Sequence, residues 1–580
     1  AGLSMRGLGV GFMLLFVGAC GDGSETEVDS EAGSGLGPSP LAGAQGLLQA
    51  GDFEGAEAEL REVTEASPDN AQAWAMLGLA VHSQERWEEA LDLHLKAAEF
   101  SATAAVGHFR AGLAQLRLDR LDEAFDSWGR AKETGGYDVT QLGLNPAADS
   151  LRDDPRYIAL FPTPAEFTDP FVEPVTILQE WAGEGRGDQF GWIARNIGDV
   201  DGDGIADVAT SAPTWGPDGT NRGRVYVYSG ASGARLWTAD GEAGDQLGLG
   251  IEAAGDVNGD GIPDVIAGAP GGERALVWSG LDGSVLLELA AEEPGGGFGG
   301  TVSDVGDADG DGRADVLVGA PGNGEGGEGA GAAYLYSGGD GSELFRWIGE
   351  EAGDAFGSSG AGWVGADGRG MVVVGAPGAG PGGTGRVYVY HVVAGPEGGV
   401  SRTPGFVVES DENGAALGAM FVSVVGDVDG DGTRDVYASD WAHGALGPQT
   451  GRIHVHSGAS GERLMTLTGE AAGDGFGIGP ADAGDVDGDG HDDLVIGAWQ
   501  HAGAAASGGK IYFYSGADGA ALGAITGQVM GETFGFDATG MGDVDGDGVP
   551  DMLITSAWSA IAGARSGRVF ILSGREEGGR

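Results

Sequence analysis

The chain has 580 residues, 41% of them apolar, which is long enough for more than one domain and apolar enough to exclude wholesale disorder. Its 89 acids against 30 bases give a formal net charge of −59, which excludes a nucleic-acid partner, because phosphate binding needs a basic surface, and favours cations as ligands. The 118 glycines follow no Gly-X-Y period, so they point to tight turns between short strands rather than to collagen, and one cysteine, Cys20, excludes an intramolecular disulfide.

The N-terminus reads as an address. Met5-Arg6 precedes a mostly apolar run from Leu8 to Val17. The run is too short to span a bilayer, which takes about 20 apolar residues. A basic start, a short apolar core and small residues after it are the pattern of a secretory signal. The run ends Val17-Gly18-Ala19-Cys20, which resembles a bacterial lipobox. The resemblance implies a lipoprotein signal over residues 1–20, with Cys20 lipidated as the first mature residue. Gly21 follows it rather than aspartate, and by resemblance to Gram-negative lipoproteins this implies an anchor in the outer membrane of the cell envelope. Residues 21–40 are acidic and rich in Gly, Ser and Pro, and read as a flexible tether.

Over residues 41–138 alanine and leucine rise and glycine falls. A 34-residue period fits, with units starting at Gly37, Ala71 and Ala105. The middle unit has Trp74, Leu77, Gly78, Ala90 and Ala97 in phase; Ala56 and Pro68 match in the first, and Gly112, Ala124 and Ala131 in the third. This spacing resembles the tetratricopeptide repeat. It implies antiparallel helix pairs that approach closely at the small residues and present a groove to a peptide or helix of another protein. His82, His94 and His108 show no metal spacing and read as packing or surface residues. Residues 139–174, with several prolines, read as a short docking segment and linker.

From residue 175 to 574 a unit of about 58 residues recurs seven times. Phe-Gly or Leu-Gly opens each copy, at Phe190, Leu247, Phe298, Phe356, Leu417, Phe476 and Phe534. Gly-Ala-Pro or a relative follows, at Ser211, Gly268, Gly319, Gly375, Ser439, Gly497 and Ser556. An alternating strand ending near Ser-Gly closes most copies. Each copy parses as four short antiparallel strands, the blade of a propeller. The predicted architecture is therefore multidomain: an all-β seven-bladed propeller preceded by an α-helical module, with residues 575–580 as a tail. The units resemble the FG-GAP repeat of integrin alpha chains, which implies the propeller fold; fold alone carries function only weakly. The seventh copy lacks a fourth strand, and Val175–Trp181, ahead of the first copy, matches one. It is expected to complete the last blade.

Six copies carry D-x-[DN]-x-D-G-x-x-D between the first two strands. The residues are Asp199, Asp201, Asp203 and Asp207; Asp256, Asn258, Asp260 and Asp264; Asp307, Asp309, Asp311 and Asp315; Asp427, Asp429, Asp431 and Asp435; Asp485, Asp487, Asp489 and Asp493; and Asp543, Asp545, Asp547 and Asp551. Positions one, three and five of such a loop turn inward, glycine at six allows the bend, position seven offers a carbonyl, and position nine closes the site. Calcium, a hard cation that takes six to eight oxygens, is the expected ion, up to six in all. Magnesium suits the loop less well, and zinc lacks Cys or His ligands. Copy four has Trp363, Gly365 and Met371 at positions one, three and nine and keeps only Asp367, so no calcium is expected there.

No catalytic constellation emerges. The paired acids are accounted for as metal ligands, and G-x-S-x-G, the P-loop and H-E-x-x-H are all missing. His454 and His456 replace the tyrosines of other third strands and read as packing. The expected function is calcium-dependent binding or adhesion at the envelope, not catalysis. The alternatives are an envelope hydrolase or lyase acting on polysaccharide or lipid, and a structural component of an envelope assembly. The partner, a protein or glycan, is expected on the face opposite the calcium loops. There the loop after Gly-Ala-Pro carries Trp215, Trp441, Trp499 and Trp558, with His443 and His501 nearby. Exposed, these rings would offer rigid contact area; buried, they would pack between blades.

Overall fold

A computed structural model describes residues 41–574, apart from 218, 292–293, 396–398, 412 and 480–481. Cys20, the signal, the tether and the tail lie outside the described residues. The chain divides into two compact units, the first running to Thr163 and including Ala471–Gly473, the second comprising Pro164–Glu470 and the residues from Asp474 on.

The first unit contains three antiparallel helix pairs: α1 (Ala42–Ala50) with α2 (Phe53–Ala66), α3 (Ala71–Ser83) with α4 (Trp87–Ala97), and α5 (Ala104–Arg117) with α6 (Leu121–Thr134). Asp52 and Asn70 cap α2 and α3 by accepting the N–H of Gly55 and Ala73. The small residues sit where helices cross. A Cβ on Gly78 would lie 2.6 Å from the His94 ring, and one on Gly112 would lie 2.3 Å from Trp128. His94 is fully buried, and its Nε2 meets His82 Nδ1 at 3.2 Å. The first part of the proline-containing segment is folded onto this unit. Val139, Leu142, Ala148 and Tyr157 are buried, and Lys132 on α6 donates to the Ala159 carbonyl at 2.8 Å. No helix among the described residues is long and apolar enough to cross a membrane.

The second unit is seven antiparallel sheets. In blade one the strands are Ala194–Asn196, Val208–Ala212, Arg224–Tyr228 and Arg235–Asp240, paired in chain order. The second strand of each blade, such as Asp264–Ala269 or Asp315–Ala320, is buried between neighbouring blades along its whole length, save for Arg369 at the start of blade four's. It therefore reads as a continuous apolar run rather than an alternating one. The fourth strand, such as Arg235–Asp240, is the exposed outer edge. The seven Phe-Gly or Leu-Gly side chains are wedges between blades, none more than 2% exposed. Backbones also meet there: a Cβ on Gly268 would lie 1.7 Å from the Gly299 carbonyl, so that strand position needs glycine.

Ile177–Ala182 pairs antiparallel with Arg568–Leu572 and supplies the fourth strand of blade seven, with Trp181 opposite Val569. The residues just before it strap the closure. Phe171 packs on Phe534 and Phe570, and Glu173 accepts the Thr526 N–H and hydroxyl. Arg568, 1% exposed, bonds Glu180, Glu532 and the Phe167 carbonyl. A buried guanidinium needs such a full set of acceptors. The 139–174 segment is thus folded at both ends rather than a bare connection.

Two blades deviate. Blade six splits its first strand into Phe476–Ile478 and Asp482–Gly484. Blade four replaces its fourth strand with two pieces, Gly399–Val400 and Phe406–Glu409, both on Arg386–Val393.

Candidate metal centres

The six aspartate loops repeat one geometry. Position one is the hub. Asp199 Oδ1 accepts the N–H of Gly202 at 2.7 Å and Oδ2 that of Gly204 at 2.8 Å. Asp543 does the same for Gly546 and Gly548. Both loop glycines are left-handed, with φ of 81° at Gly202 and 90° at Gly204, which admits the tight bend. Position three accepts the N–H of position five, as Asp429 does from Asp431 at 3.0 Å. Position five accepts that of position seven, as Asp489 does from His491 at 2.9 Å.

Position nine is different in kind. Asp207, Asp264, Asp315, Asp435, Asp493 and Asp551 are all 0% exposed. One carboxylate oxygen takes the N–H of position two; the pairs are Val200, Val257, Ala308, Val428, Val486 and Val544 at 2.7–3.0 Å. The other takes the N–H of the Ser-Gly glycine that ends the third strand: Gly230, Gly280, Gly338, Gly458, Gly516 and Gly574 at 3.0–3.1 Å. These glycines are needed for close approach. A Cβ on Gly338 would lie 1.8 Å from the Ala314 carbonyl, and one on Gly458 would lie 2.0 Å from that of Arg434. The sequence signal for this partner was present: Ser-Gly ends the third strand in the six copies that carry the loop, and copy four lacks it.

The arrangement gathers negative charge. In five blades, three carboxylates bring one oxygen each to within 4.8 Å of one another. In blades one and three these are positions one, three and five: Asp199, Asp201 and Asp203, and Asp307, Asp309 and Asp311. In blades five to seven they are positions one, three and nine: Asp427, Asp429 and Asp435; Asp485, Asp487 and Asp493; Asp543, Asp545 and Asp551. Blade two offers the amide of Asn258 at position three, beside Asp256 and Asp260. Burial, with a neighbouring aspartate adding to it, pushes the carboxyls of Asp264 and Asp435 up to about 6 and that of Asp315 to about 7, against the backbone N–H bonds. Asp207, Asp493 and Asp551 move the same way. Oxygen-only donors converging on a short loop fit a hard cation, which supplies the positive charge these acids lack.

Blade four has no such loop. Ser359–Val364 pairs with Gly370–Gly375 without a slip, and Trp363 stands opposite Met371. A tight turn closes the hairpin, with Gly365 N–H donating to the Arg369 carbonyl at 2.8 Å. Asp367 accepts the Arg369 N–H.

The tryptophans correct the expectation of an exposed aromatic face. Trp441, Trp499 and Trp558 are 7%, 2% and 5% exposed. Trp499 packs edge-on against Trp558 at 4.9 Å and Phe536 at 5.3 Å, so the turn after the second strand folds its ring back between blades. Trp215 is half-buried under the Arg224 guanidinium, 3.6 Å away. The two histidines beside them hold acids of the preceding loops: His443 bonds Asp411 at 2.5 Å and His501 bonds Asp474 at 3.1 Å. His454 is buried against the Thr466 hydroxyl, and His456 bonds the Gly461 carbonyl.

Comparison with known proteins follows the same division. The tetratricopeptide repeat family matches residues 41–106, the FG-GAP repeat 190–228 and the FG-GAP-like repeat 256–318. Integrin alpha pat-2 of Caenorhabditis briggsae is 32% identical over 219 residues, 33% of this chain and 18% of that protein. Integrin alpha-PS2 of Drosophila melanogaster is 32% identical over 174 residues, 27% of this chain and 12% of its own. Integrin alpha-V of Gallus gallus is 34% identical over 100 residues, 16% of this chain and 9% of its own. The match therefore spans less than a fifth of each of these relatives.

Proposed function

We propose that this chain, a tetratricopeptide unit followed by a seven-bladed FG-GAP propeller similar to that of integrin alpha chains, is a calcium-dependent binding and adhesion protein of a bacterial cell envelope. The observation that carries the reading is the sixfold repetition of an oxygen-lined loop tied through position nine to the Ser-Gly turn of its own blade. Calcium suits it because that ion accepts many oxygens in flexible geometry, whereas magnesium demands a near-ideal octahedron. Bound there, calcium supplies charge neutralisation; the chain's own residues hold the hairpin against the turn. The acids are thereby structural, which favours binding over catalysis.

The proposed partner surface is the propeller face opposite these loops, where the connections between second and third strands differ most from blade to blade. Buried tryptophans make those connections rigid, and contact falls to the residues outside them, such as Leu446, 63% exposed in blade five. A protein or glycan ligand is proposed for this face, and a peptide or protein for the groove of the helical unit. Lipid on Cys20 would tether both to the outer membrane.

Two measurements test the reading. Titration of the chelator-stripped chain should show calcium binding, and capture of envelope components should require calcium. Absent binding, or capture that is unchanged in excess chelator, overturns calcium dependence. Cys20→Ser should move the protein from the membrane to the soluble fraction; a variant that stays in the membrane after a salt wash overturns the anchor.

A further inference from the structure

Blade four departs from its neighbours on its outer side as well as at its hairpin. In blades one and two a tight turn joins the third and fourth strands, and a tryptophan of the preceding blade caps it. Trp181 Nε1 donates to the Gly233 carbonyl at 2.9 Å, and Trp237 Nε1 to that of Gly280 at 2.8 Å. In blade four the third strand runs on to Val393, and Trp347 of blade three donates instead to the Ser401 carbonyl at 3.2 Å. The outer strand is interrupted. Ser401 and Gly405 donate to His391 and Val389 at 3.0 and 2.7 Å, and residues 402–404 arch off the sheet between those bonds.

A cleft of ≈ 260 Å³ lies between this arch and the outer strand of blade three. Its floor is Trp347 and Tyr390, with rings 5.0 Å apart, 4% and 5% exposed. Phe345 forms a half-buried wall, and the Arg402 guanidinium lies 5.1 Å from its ring centre. Glu350 and Thr403 stand exposed on the rim.

We propose that this cleft binds one pyranose ring of a glycan, at a site separate from the partner face proposed above. A sugar ring has an apolar C–H face and a rim of hydroxyls. Phe345 offers a ring for the first, and the carboxylate of Glu350 and the guanidinium of Arg402 offer paired acceptors and donors for the second. An apolar peptide or a lipid chain would strip water from Glu350, Arg402 and Thr403 without replacing their hydrogen bonds. The volume falls just below the roughly 300–1,000 Å³ of drug-sized sites, which matches a single ring rather than a longer occupant.

The test uses the whole chain with calcium present. Saturation-transfer NMR and calorimetry would screen methyl glycosides of glucose, galactose, mannose, N-acetylglucosamine and glucuronate, with proline-rich and acidic peptides as rivals. At least one glycoside should bind, and Phe345→Ala and Arg402→Ala should each weaken it about tenfold, the change from losing one contact, with the melting temperature unchanged. Should Phe345→Ala lower the melting temperature, Arg402→Ala alone decides. The proposal is overturned if no glycoside binds, if binding ignores Arg402→Ala, or if only a peptide competes for the cleft. Calcium titration of the loops stands apart from these outcomes, so the two proposals fail separately.

Discussion

Blade four and the six blades around it build the same sheet by two routes. In blade four the first hairpin is a backbone turn, with six consecutive residue pairs from Ser359↔Gly375 to Val364↔Gly370. In blades two, three and seven the register slips just before the loop, at Ala253/Gly255, Asp304/Gly306 and Gly540/Gly542, and the chain then wraps its own N–H groups around carboxylates. Both ends of the device change together. Met371 stands opposite His391, and Val392 stands opposite Gly370, where blade three has Gly338 beside Asp315. The comparison teaches that a blade closes without the acids. The loop is an addition, and its stability depends on what neutralises it.

The largest effect expected is from chelation. A ligand that binds only the folded state adds about 2.7 kcal/mol per site at 100-fold excess over its Kd, so stripping six loops should lower the melting temperature by many degrees. Hydrogen exchange should then rise in the six loop hairpins and stay slow across Ser359–Ala376. An unchanged melt, or equal loss of protection in blade four, breaks the comparison.

Single carboxylates come next. Asp315→Ala leaves the buried N–H groups of Ala308 and Gly338 without their acceptor, at about 1–3 kcal/mol each. Asp367→Ala, which touches one exposed N–H in blade four, should stay within about 0.5 kcal/mol. Urea melts of the two variants give the contrast directly; equal midpoints would remove it.

Gly338→Ala sharpens the same point from the other strand. The new methyl would meet the Ala314 carbonyl at 1.8 Å and should cost about 1–3 kcal/mol through overpacking. Val392 carries a full side chain in the corresponding register of blade four, where it pairs with Gly370 in an unbroken ladder. A stable Gly338→Ala protein would show that position nine does not need this close approach.

The smallest effect separates blade five from the tyrosine-bearing third strands, blade four included. Burial pushes the imidazole of His454 down to about 4, and its Nε2 has no hydrogen-bond partner. Between pH 6.5 and 4 the unfolded chain binds this proton and the folded one does not. Stability is therefore fully present above pH 6.5 and lost on acidification, by about 1.4 kcal/mol at pH 5.5. His454→Tyr should flatten that slope relative to the parent; parallel slopes would place the titration elsewhere.

Much of this was legible because it is written locally and repeated. The seven wedges from Phe190 to Phe534 recur every 51 to 61 residues, so each copy vouches for the others, and Trp363 and Met371 stand out against six aspartate loops. Helix pairing in the first unit could be read from Gly78 and Gly112, since a close crossing leaves room for nothing larger. The tryptophans could not be read this way. Trp441, Trp499 and Trp558 recur at the third position of the Gly-Ala-Pro motif, and recurrence alone does not say which way a ring turns.

The sequence by itself determined the blade count, the strand that closes the ring and the positions of the acids, because pattern, turn chemistry and register are properties of neighbouring residues. Only the tertiary structure decided that Trp499 packs on Trp558 rather than facing water, that position nine grips a glycine some 23 residues away, and that the arch over Trp347 opens a cleft. Each depends on which strand or blade arrives alongside, and burial is settled by that arrival, not by the residue's own place in the chain.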